Sequence, residues 1–221
     1  MAWPVAGFIE PEGHNRGIVA AMGVSFTALR VTAAHQVPLF EGHVRRLGEE
    51  SRGPLRQFAE QAAAGVYRAT WDGAQLTMTA RPPSRLVEGM PTRFVVSPFA
   101  GLSGRFPKPG PPSPYESVRV AGQASLLTDL TGQEVYEACV ASVIAWDGAQ
   151  LVLAPEDVPA VASIAEAEVA ARLPHRRARI FVAGDWPLLL INAVAGTGAV
   201  SVPGRAAFPS ELRARLDAVL A

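Results

Sequence analysis

The sequence predicts an α/β (α+β) protein of two halves, each with its own sheet, and three observations support this prediction. The 221 residues, 49% hydrophobic and 18% charged, are enough to bury a core in one large domain or two modest ones. Five prolines within Phe106–Tyr115 interrupt any helix or central strand and indicate a boundary. Strand and helix periodicities occur on both sides of it. We therefore expect subdomains at residues 1–105 and 118–221, joined by a linker at 106–117.

The first half contains strand and helix signals in alternation. Asp72-Gly73 can adopt the positive φ values of a tight hairpin turn, so the segment around it is predicted to form two paired strands. The predicted elements are, in order, a strand at Val24–Val31, an amphipathic helix start at Leu39–Leu47, a helix at Pro54–Gly65, the hairpin at Ala69–Thr79 and a strand at Arg93–Ser97.

The second half repeats one hexapeptide of the first, because Trp146–Leu151 has the same letters as Trp71–Leu76. The flanking residues do not repeat, so a shared hairpin turn explains the identity better than an internal duplication. The further predicted elements are a helix at Val158–Leu173, buried strands at Arg179–Ala183 and Pro187–Ala193, and a closing helix at Pro209–Leu220.

Composition and charge narrow the function classes. Twenty basic residues balance twenty acidic ones, so no net field favours nucleic acid or an anionic membrane, and we expect a small molecule or another protein chain as partner. Cys139 is the only cysteine, which excludes an internal disulfide and fits a reducing compartment. Met1–Phe8 lacks a secretory pattern, and the apolar stretch Leu188–Val200 is too short to span a bilayer. We therefore expect a cytoplasmic location and no membrane span.

Common catalytic motifs are missing, and three isolated residues remain as candidates. The sequence has no Gly-x-Gly-x-x-Gly, no phosphate-loop lysine, no Gly-x-Ser-x-Gly and no histidine pair with metal-ligand spacing, so we expect no metal site. Taken alone, Arg46 is a solvated residue of an amphipathic helix that also contains His43. Glu137 is the end of a strand at the surface, and Lys108, the only lysine, is a solubilising loop charge.

Three patches of sequence change this interpretation. Phe40–Leu47 reads Phe-Glu-Gly-His-Val-Arg-Arg-Leu, which matches the Phe-x-x-His-x-x-Arg-Leu signature of class IV (fold type IV) pyridoxal-phosphate enzymes. Leu126–Glu137 is similar to the family's strand, turn and strand that end in a glutamate, and Leu188–Gly196 to the Asn-Ala-Leu-Arg-Gly segment of its aminodeoxychorismate lyase branch. The chain thus resembles class IV aminotransferases and lyases from about Val24 to Val202.

The resemblance implies a two-subdomain architecture with a cleft between two sheets, and pyridoxal 5'-phosphate as cofactor. Lys108 would hold the cofactor covalently and transfer the α-proton of the substrate, while Glu137 would keep the pyridine nitrogen protonated. Arg46 would bind the phosphate together with backbone amides at Ser163-Ile164 and Asn192-Ala193. The implied substrate is a small amine or amino acid, or an amino-chorismate, and transamination and elimination both remain open. Class IV enzymes are usually homodimers, so a homodimer is implied here too.

Several departures from the family pattern keep other functions open. Glu166 lies in the segment where the family binds the phosphate, and its charge would repel a phosphate unless it points away. Lys108 lies between prolines, and Ser142 replaces a family asparagine. A degenerate homologue that binds a metabolite or a partner without the cofactor is therefore the second hypothesis. An unrelated two-domain α/β binding protein with chance motif matches is the third.

Overall fold

The computed structural model describes residues 25–82, 86, 88–109 and 113–221 as an α/β chain with two sheets, one of three and one of nine strands. The predicted α/β class with two sheets is confirmed. The predictions for Met1–Phe8 and for Val24 lie outside the described residues. No helix among the described residues is long and apolar enough to cross a membrane.

The small sheet is an antiparallel sheet in chain order, and two helices connect its first two strands. Its elements are β1 (Ser25–Val31), α1 (Phe40–Leu47), α2 (Arg52–Gln61), β2 (Gly65–Trp71) and β3 (Leu76–Arg81). Leu29 on β1 and Ala69 on β2 pack with Val44 and Leu55 of the helices in one core. Side chains alternate across a strand, so the residues between these core positions lie on the opposite face of the sheet.

The large sheet contains the remaining strands, which are β4 (Met90–Val96), β5 (Ala124–Thr128), β6 (Glu134–Ala138), β7 (Ser142–Trp146), β8 (Leu151–Leu153), β9 (His175–Arg177), β10 (Ile180–Phe181), β11 (Leu188–Asn192) and β12 (Gly196–Ser201). Their order is β10-β6-β5-β4-β12-β11-β7-β8-β9, with both parallel and antiparallel pairs. Helices α3 (Ile164–Arg172) and α4 (Ser210–Leu220) complete the fold. Buried residues of both helices, among them Val169 and Leu216, pack against Ile144 and Leu189 of the sheet.

The two sheets divide the chain before the proline-rich segment. β4 lies upstream of residue 106, yet it pairs in parallel with β5 and β12 of the large sheet. The change from one sheet to the other therefore falls between Arg81 and Met90. A boundary between folding units at 106–117 stays a proposal.

Both copies of the hexapeptide form the same hairpin turn, as predicted. Gly73 and Gly148 each have φ of 96°, a value that suits glycine because it lacks a Cβ atom. In the first turn, the Asp72 Oδ1 atom accepts hydrogen bonds from the amides of Ala74 (2.9 Å) and Gln75 (2.7 Å). Asp147 accepts the equivalent pair of bonds in the second turn, both at 2.9 Å.

The predicted helix at Val158–Leu173 is too long at its start. The helix begins at Ile164, because the Ser163 side chain caps it by accepting a hydrogen bond from the Glu166 amide at 3.2 Å. The residues before it are extended, and Val161 forms a parallel bridge with Phe106. This extended segment brings the start of α3 beside the segment that carries Lys108.

Candidate active site

One small cavity of about 90 Å³ is lined by every residue that the sequence proposed for the site, and these are Arg46, Lys108, Glu137, Ser163, Ile164, Asn192 and Ala193. Four of them also line an adjoining cavity of about 710 Å³, which are Arg46, Lys108, Ser163 and Ile164. Small-molecule sites usually measure about 300–1,000 Å³, so the two cavities together offer a cleft of suitable size. The roles of the seven residues stay predictions.

Different elements bring these residues together. Arg46 comes from the last turn of α1, and Glu137 from β6 of the large sheet. The Ser163-Ile164 pair lies at the start of α3, and Asn192-Ala193 at the end of β11. Lys108 lies in the irregular segment after β4, next to both cavities. The cleft thus lies between the small and the large sheet.

Lys108 has solvent-accessible surface but stands in a desolvating environment. Lys108 is exposed to solvent, and it lines both cavities. Its exposed surface therefore faces the cleft. The surrounding protein desolvates the ammonium, and the charges of Arg46, Arg68 and Arg81 act in the same direction. Together they lower the pKa of Lys108 to about 8, against a smaller opposing effect of Glu137. At pH 7 about one tenth of this amine is therefore neutral, far more than for a lysine with the ordinary pKa of 10.5.

Glu137 is a buried carboxyl group whose two oxygens both accept hydrogen bonds. Its side chain belongs to a residue that is 4% exposed. The Tyr115 hydroxyl donates to Oε1, and the Val161 amide donates to Oε2 at 3.0 Å. Burial raises the pKa of Glu137 to about 7, because desolvation outweighs these two hydrogen bonds. The same burial, together with the Glu137 charge, raises the pKa of Tyr115. The carboxyl group is thus fixed in place.

Arg46 and the start of α3 form an anion-binding arrangement. Burial lowers the pKa of Arg46 to about 10, which still leaves it charged, and its guanidinium donates to the Ala162 carbonyl. Among the described residues, the amides of Ile164 and Ala165 have no protein acceptor. Free amides at a helix N-terminus beside a guanidinium favour a phosphate or a carboxylate. On the other side of the cavity, Asn192 Oδ1 accepts from the Val194 amide at 2.7 Å and so fixes the turn after β11.

Glu166, which the sequence placed near the phosphate site, does not line the small cavity. Its buried carboxylate forms ion pairs with Arg105 (2.8 Å) and Arg177 (3.0 Å). Two guanidinium groups therefore balance its charge. The sequence suggested that the charge of Glu166 would repel a phosphate. These two partners remove that repulsion.

The sequence-based prediction of the site omitted three arginines on the face of the small sheet that is directed toward the cleft. Strand alternation and register place Arg30, Arg68 and Arg81 on one face, together with Phe26 and Ala28, which line the two cavities. Among the described residues none of the three arginines has a carboxylate partner, and the buried Nε of Arg30 has no hydrogen-bond acceptor. The alternating pattern was visible in the sequence, but the pairing that aligns the strands was not.

His43 and Tyr115 complete the surroundings of the cleft. His43 is fully buried, with Nδ1 at 2.9 Å from Thr27 Oγ1, and desolvation lowers its pKa to about 3. It is therefore a neutral core residue behind Arg46. Tyr115 is the last residue of the proline-rich segment, and no sequence signal connected it with Glu137. Within the described residues, no group of three or more His, Cys, Asp and Glu could hold a metal ion.

Comparison with solved structures gives the fold. The 4-amino-4-deoxychorismate lyase of Pseudomonas aeruginosa matches with a TM-score of 0.61 at 18% identity, over 97% of this chain and 95% of that one. A hypothetical aminotransferase of Mycobacterium tuberculosis in its PLP-bound form matches with a TM-score of 0.62 at 16% identity, over 99% and 95%. The chain has the fold of these enzymes. No protein-family model and no curated protein matches its sequence.

The Mycobacterium tuberculosis structure is a PLP-bound form, and the residues of the cleft here are chemically suited to pyridoxal 5'-phosphate. The donor set contains an amine with a lowered pKa, a buried carboxyl group, a guanidinium and free helix-start amides. These are the groups that an aldehyde, a pyridine nitrogen and a phosphate would need. At identities below one fifth, the likeness to the lyase and the aminotransferase is one of fold alone.

Proposed function

We propose that this chain is a pyridoxal-phosphate enzyme that acts as an aminotransferase or as an aminodeoxychorismate-lyase-like enzyme. The observation that carries the proposal is the convergence of the only lysine, a buried glutamate and a desolvated arginine on one cavity. These residues lie far apart in the sequence and come from different elements. Their convergence in the order that the family uses supports a common function for them.

Each side chain would have a distinct task. Pyridoxal 5'-phosphate, when bound, supplies an electron sink that stabilises the charge left by removal of the α-proton of an amino acid. Lys108 would hold the cofactor aldehyde and, as a neutral amine, accept the α-proton of the substrate. Glu137 would face the pyridine nitrogen, and Arg46 with the Ile164 and Ala193 amides would hold the phosphate.

The charge of the cleft supports an acidic substrate. Arg68 and Arg81 act on Lys108 electrostatically, and the Arg68 guanidinium stacks on Phe26, 5.6 Å from the ring centroid. Carboxylates of a small amino acid or of an amino-chorismate would be attracted to this face. Transamination and elimination both begin with removal of the same α-proton, so these residues do not choose between the two reactions.

Trapping of the cofactor tests the proposal. Purified protein mixed with pyridoxal 5'-phosphate is expected to gain visible absorbance, and reduction with borohydride should add the cofactor mass to Lys108. Lys108 is the only lysine, so a side-chain adduct has one possible position. Lys108→Arg keeps the positive charge but lacks the amine, and it should form no adduct. An unmodified Lys108 with full recovery of free cofactor would reject the enzyme proposal.

A second candidate is a homologue that binds a metabolite without the cofactor, and one observation favours it. Both oxygens of Glu137 already accept protein hydrogen bonds, and its raised pKa of about 7 leaves much of it protonated at neutral pH. This candidate predicts equal ligand binding by the wild-type protein and Lys108→Arg. The enzyme proposal predicts a large difference.

We further propose a cytoplasmic homodimer, on the grounds of the single cysteine and of the fold. Light scattering of the purified chain would test the dimer. A mass of one chain, 23.3 kDa, at all concentrations would rule it out.

A further inference from the structure

Lys108 is carried by an extended segment that has no helix of its own. Upstream of it, the segment pairs with the chain before α3. The Phe106 amide donates to the Ala160 carbonyl at 3.0 Å, and the Ala162 amide donates to the Phe106 carbonyl at 2.8 Å. The Gly104 amide donates to the Asp157 carbonyl at 2.8 Å. These three backbone bonds attach the segment to the start of α3.

A closed set of alternating charges strengthens this attachment. Arg105 lies three residues before Lys108 and pairs with Glu166 at 2.8 Å, and it also contacts Glu156 at 3.5 Å. From β9, Arg177 pairs with Glu166 at 3.0 Å and with Glu156 at 2.5 Å. Both guanidinium groups also donate to the Ala154 carbonyl. Glu166 is 5% exposed, so these pairs are screened less by solvent than surface pairs are.

Electrostatics explains why Lys108 needs such an attachment. The positive charges of Arg46 on α1, Arg68 on β2 and Arg81 on β3 act against its ammonium, while the Glu137 carboxylate on β6 acts in its favour. Repulsion by three cations and the loss of hydration both favour movement of the amine out of the cleft into water. The side chain remains at the cavity only if the backbone that carries it is held.

We propose that Arg105 and Glu166 are positioning residues that hold the Lys108 segment against the start of α3 and thereby keep the amine at the cavity. The inference rests on the proposed function only for what the amine would do. The position of the amine is argued from the contacts of the segment itself. It also gives a role to Glu166, which the phosphate site does not use. The carboxylate that departs from the family pattern becomes the anchor for the lysine.

The titration of Lys108 in the cofactor-free protein tests this inference. Methylation of the amine with isotope-labelled methyl groups gives a single lysine NMR signal, because the chain has one lysine. In Arg105→Gln the segment should move outward, and the pKa of Lys108 should rise from about 8 toward its ordinary value of 10.5, by at least about one unit. Glu166→Gln should raise it too.

The sign of the shift separates positioning from simple charge balance. Glu166→Gln removes a negative charge, so an electrostatic effect without movement would lower the pKa of Lys108 further. The inference would be overturned if the pKa of Lys108 fell in Glu166→Gln, or if it did not change in either variant. If Glu166→Gln does not fold, Glu166→Asp replaces it, because it keeps the negative charge and shortens the reach to Arg105, and the pKa of Lys108 should still rise. Arg105→Gln cannot decide alone, since loss of its positive charge would raise the pKa of Lys108 even without movement.

Two control variants exclude a general loss of stability. Arg177→Gln removes the other guanidinium of the same set but leaves the link between Arg105 and Glu166, so the pKa of Lys108 should not change. Glu168→Gln breaks an ion pair with Arg172 on the same helix and should also leave it unchanged. A shift as large in Arg177→Gln as in Arg105→Gln would count against the inference. Cofactor trapping fails or succeeds independently of this result.

Discussion

The acidic and the basic groups of the cleft differ in how the protein satisfies them. Glu137 accepts two hydrogen bonds, and Glu166 has two guanidinium partners. By contrast, Arg68, Arg81 and Lys108 have no carboxylate partner among the described residues. Within the described part of the chain, Glu137 and Glu166 are thus satisfied by protein groups, while these three cations have no paired carboxylate. Unpaired cations of this kind attract anions, which is in keeping with the phosphate and carboxylates of the proposed ligands.

Substitution of Glu137 by glutamine should give the largest effect on the protein without ligand. The folded-state pKa is raised from 4.5 to about 7, so the folded protein binds more protons than the unfolded chain between these values. Stability therefore falls as pH rises through this window, and the penalty is complete above it. Glu137→Gln should remove the penalty and gain up to about 3 kcal/mol at about pH 8.

Urea unfolding at about pH 5 and about pH 8 measures this effect, with the pH difference expected to be smaller in the variant than in the wild-type protein. A variant that retains the full pH dependence would show that another group causes it. Glu137 would then not be the carboxyl group whose burial destabilises the folded protein as the pH rises.

Loss of the Arg46 guanidinium should weaken phosphate binding. Charged hydrogen bonds contribute about 1.5–3 kcal/mol each, so Arg46→Gln should lower the affinity for pyridoxal 5'-phosphate about 10- to 100-fold. Arg45→Gln is the matched control, because Arg45 lies on the same helix but lines only the larger cavity. Titration calorimetry gives both affinities. Equal losses in the two variants would reject a specific phosphate contact by Arg46.

Removal of the Tyr115 hydroxyl tests how Glu137 is fixed. Tyr115→Phe deletes one donor to a buried carboxyl group, which should cost about 1–2 kcal/mol and raise the pKa of Glu137 above about 7. Infrared spectra across pH follow the protonated carboxyl band. Tyr136→Phe, on the same strand as Glu137, is the control and should leave that band unchanged. An unshifted band in Tyr115→Phe would contradict the contact.

Replacement of Lys108 by a neutral side chain should have the smallest effect, a small gain in the free energy of unfolding. The folded-state pKa is lowered from 10.5 to about 8, so the cost of the charge is complete below about 8 and is relieved as pH rises toward 10.5. Because the residue is partly exposed, Lys108→Met should stabilise the ligand-free protein by only about 1 kcal/mol at neutral pH. Thermal unfolding measures it, with exposed Arg215→Met as a control without gain. Destabilisation by Lys108→Met would mean that the amine is well solvated.

Local chemistry predicted the parts of the fold that depend on few residues. The Asp-Gly turns at 72–73 and 147–148 need only a side-chain acceptor and a positive φ, and both form as expected. The closing helix at 210–220 starts directly after Pro209, which suits a first turn. The predicted start of α3 was wrong. Alanine-rich spacing at 158–163 suited a helix, but residues 156–158 form a turn, and pairing with Phe106 holds residues 160–162 extended.

Contacts between distant segments explain what the sequence did not predict. The seven proposed residues came from motif order, and they line one cavity. Tyr115 reaches Glu137 across 22 positions, and Arg105 reaches Glu166 across 61, so no local spacing connects them. The shared face of Arg30, Arg68 and Arg81 depends on strand register, which a single sequence does not contain.

The chain has a single side-chain primary amine, and this has a practical consequence. Twenty residues are Lys or Arg, and only Lys108 is a primary amine in its side chain. Reagents such as activated esters would therefore find, besides the amino terminus, a single target inside the cleft. The yield of such a label would count the molecules with an accessible pocket, and protection by a candidate compound would screen for occupants without any assay of turnover.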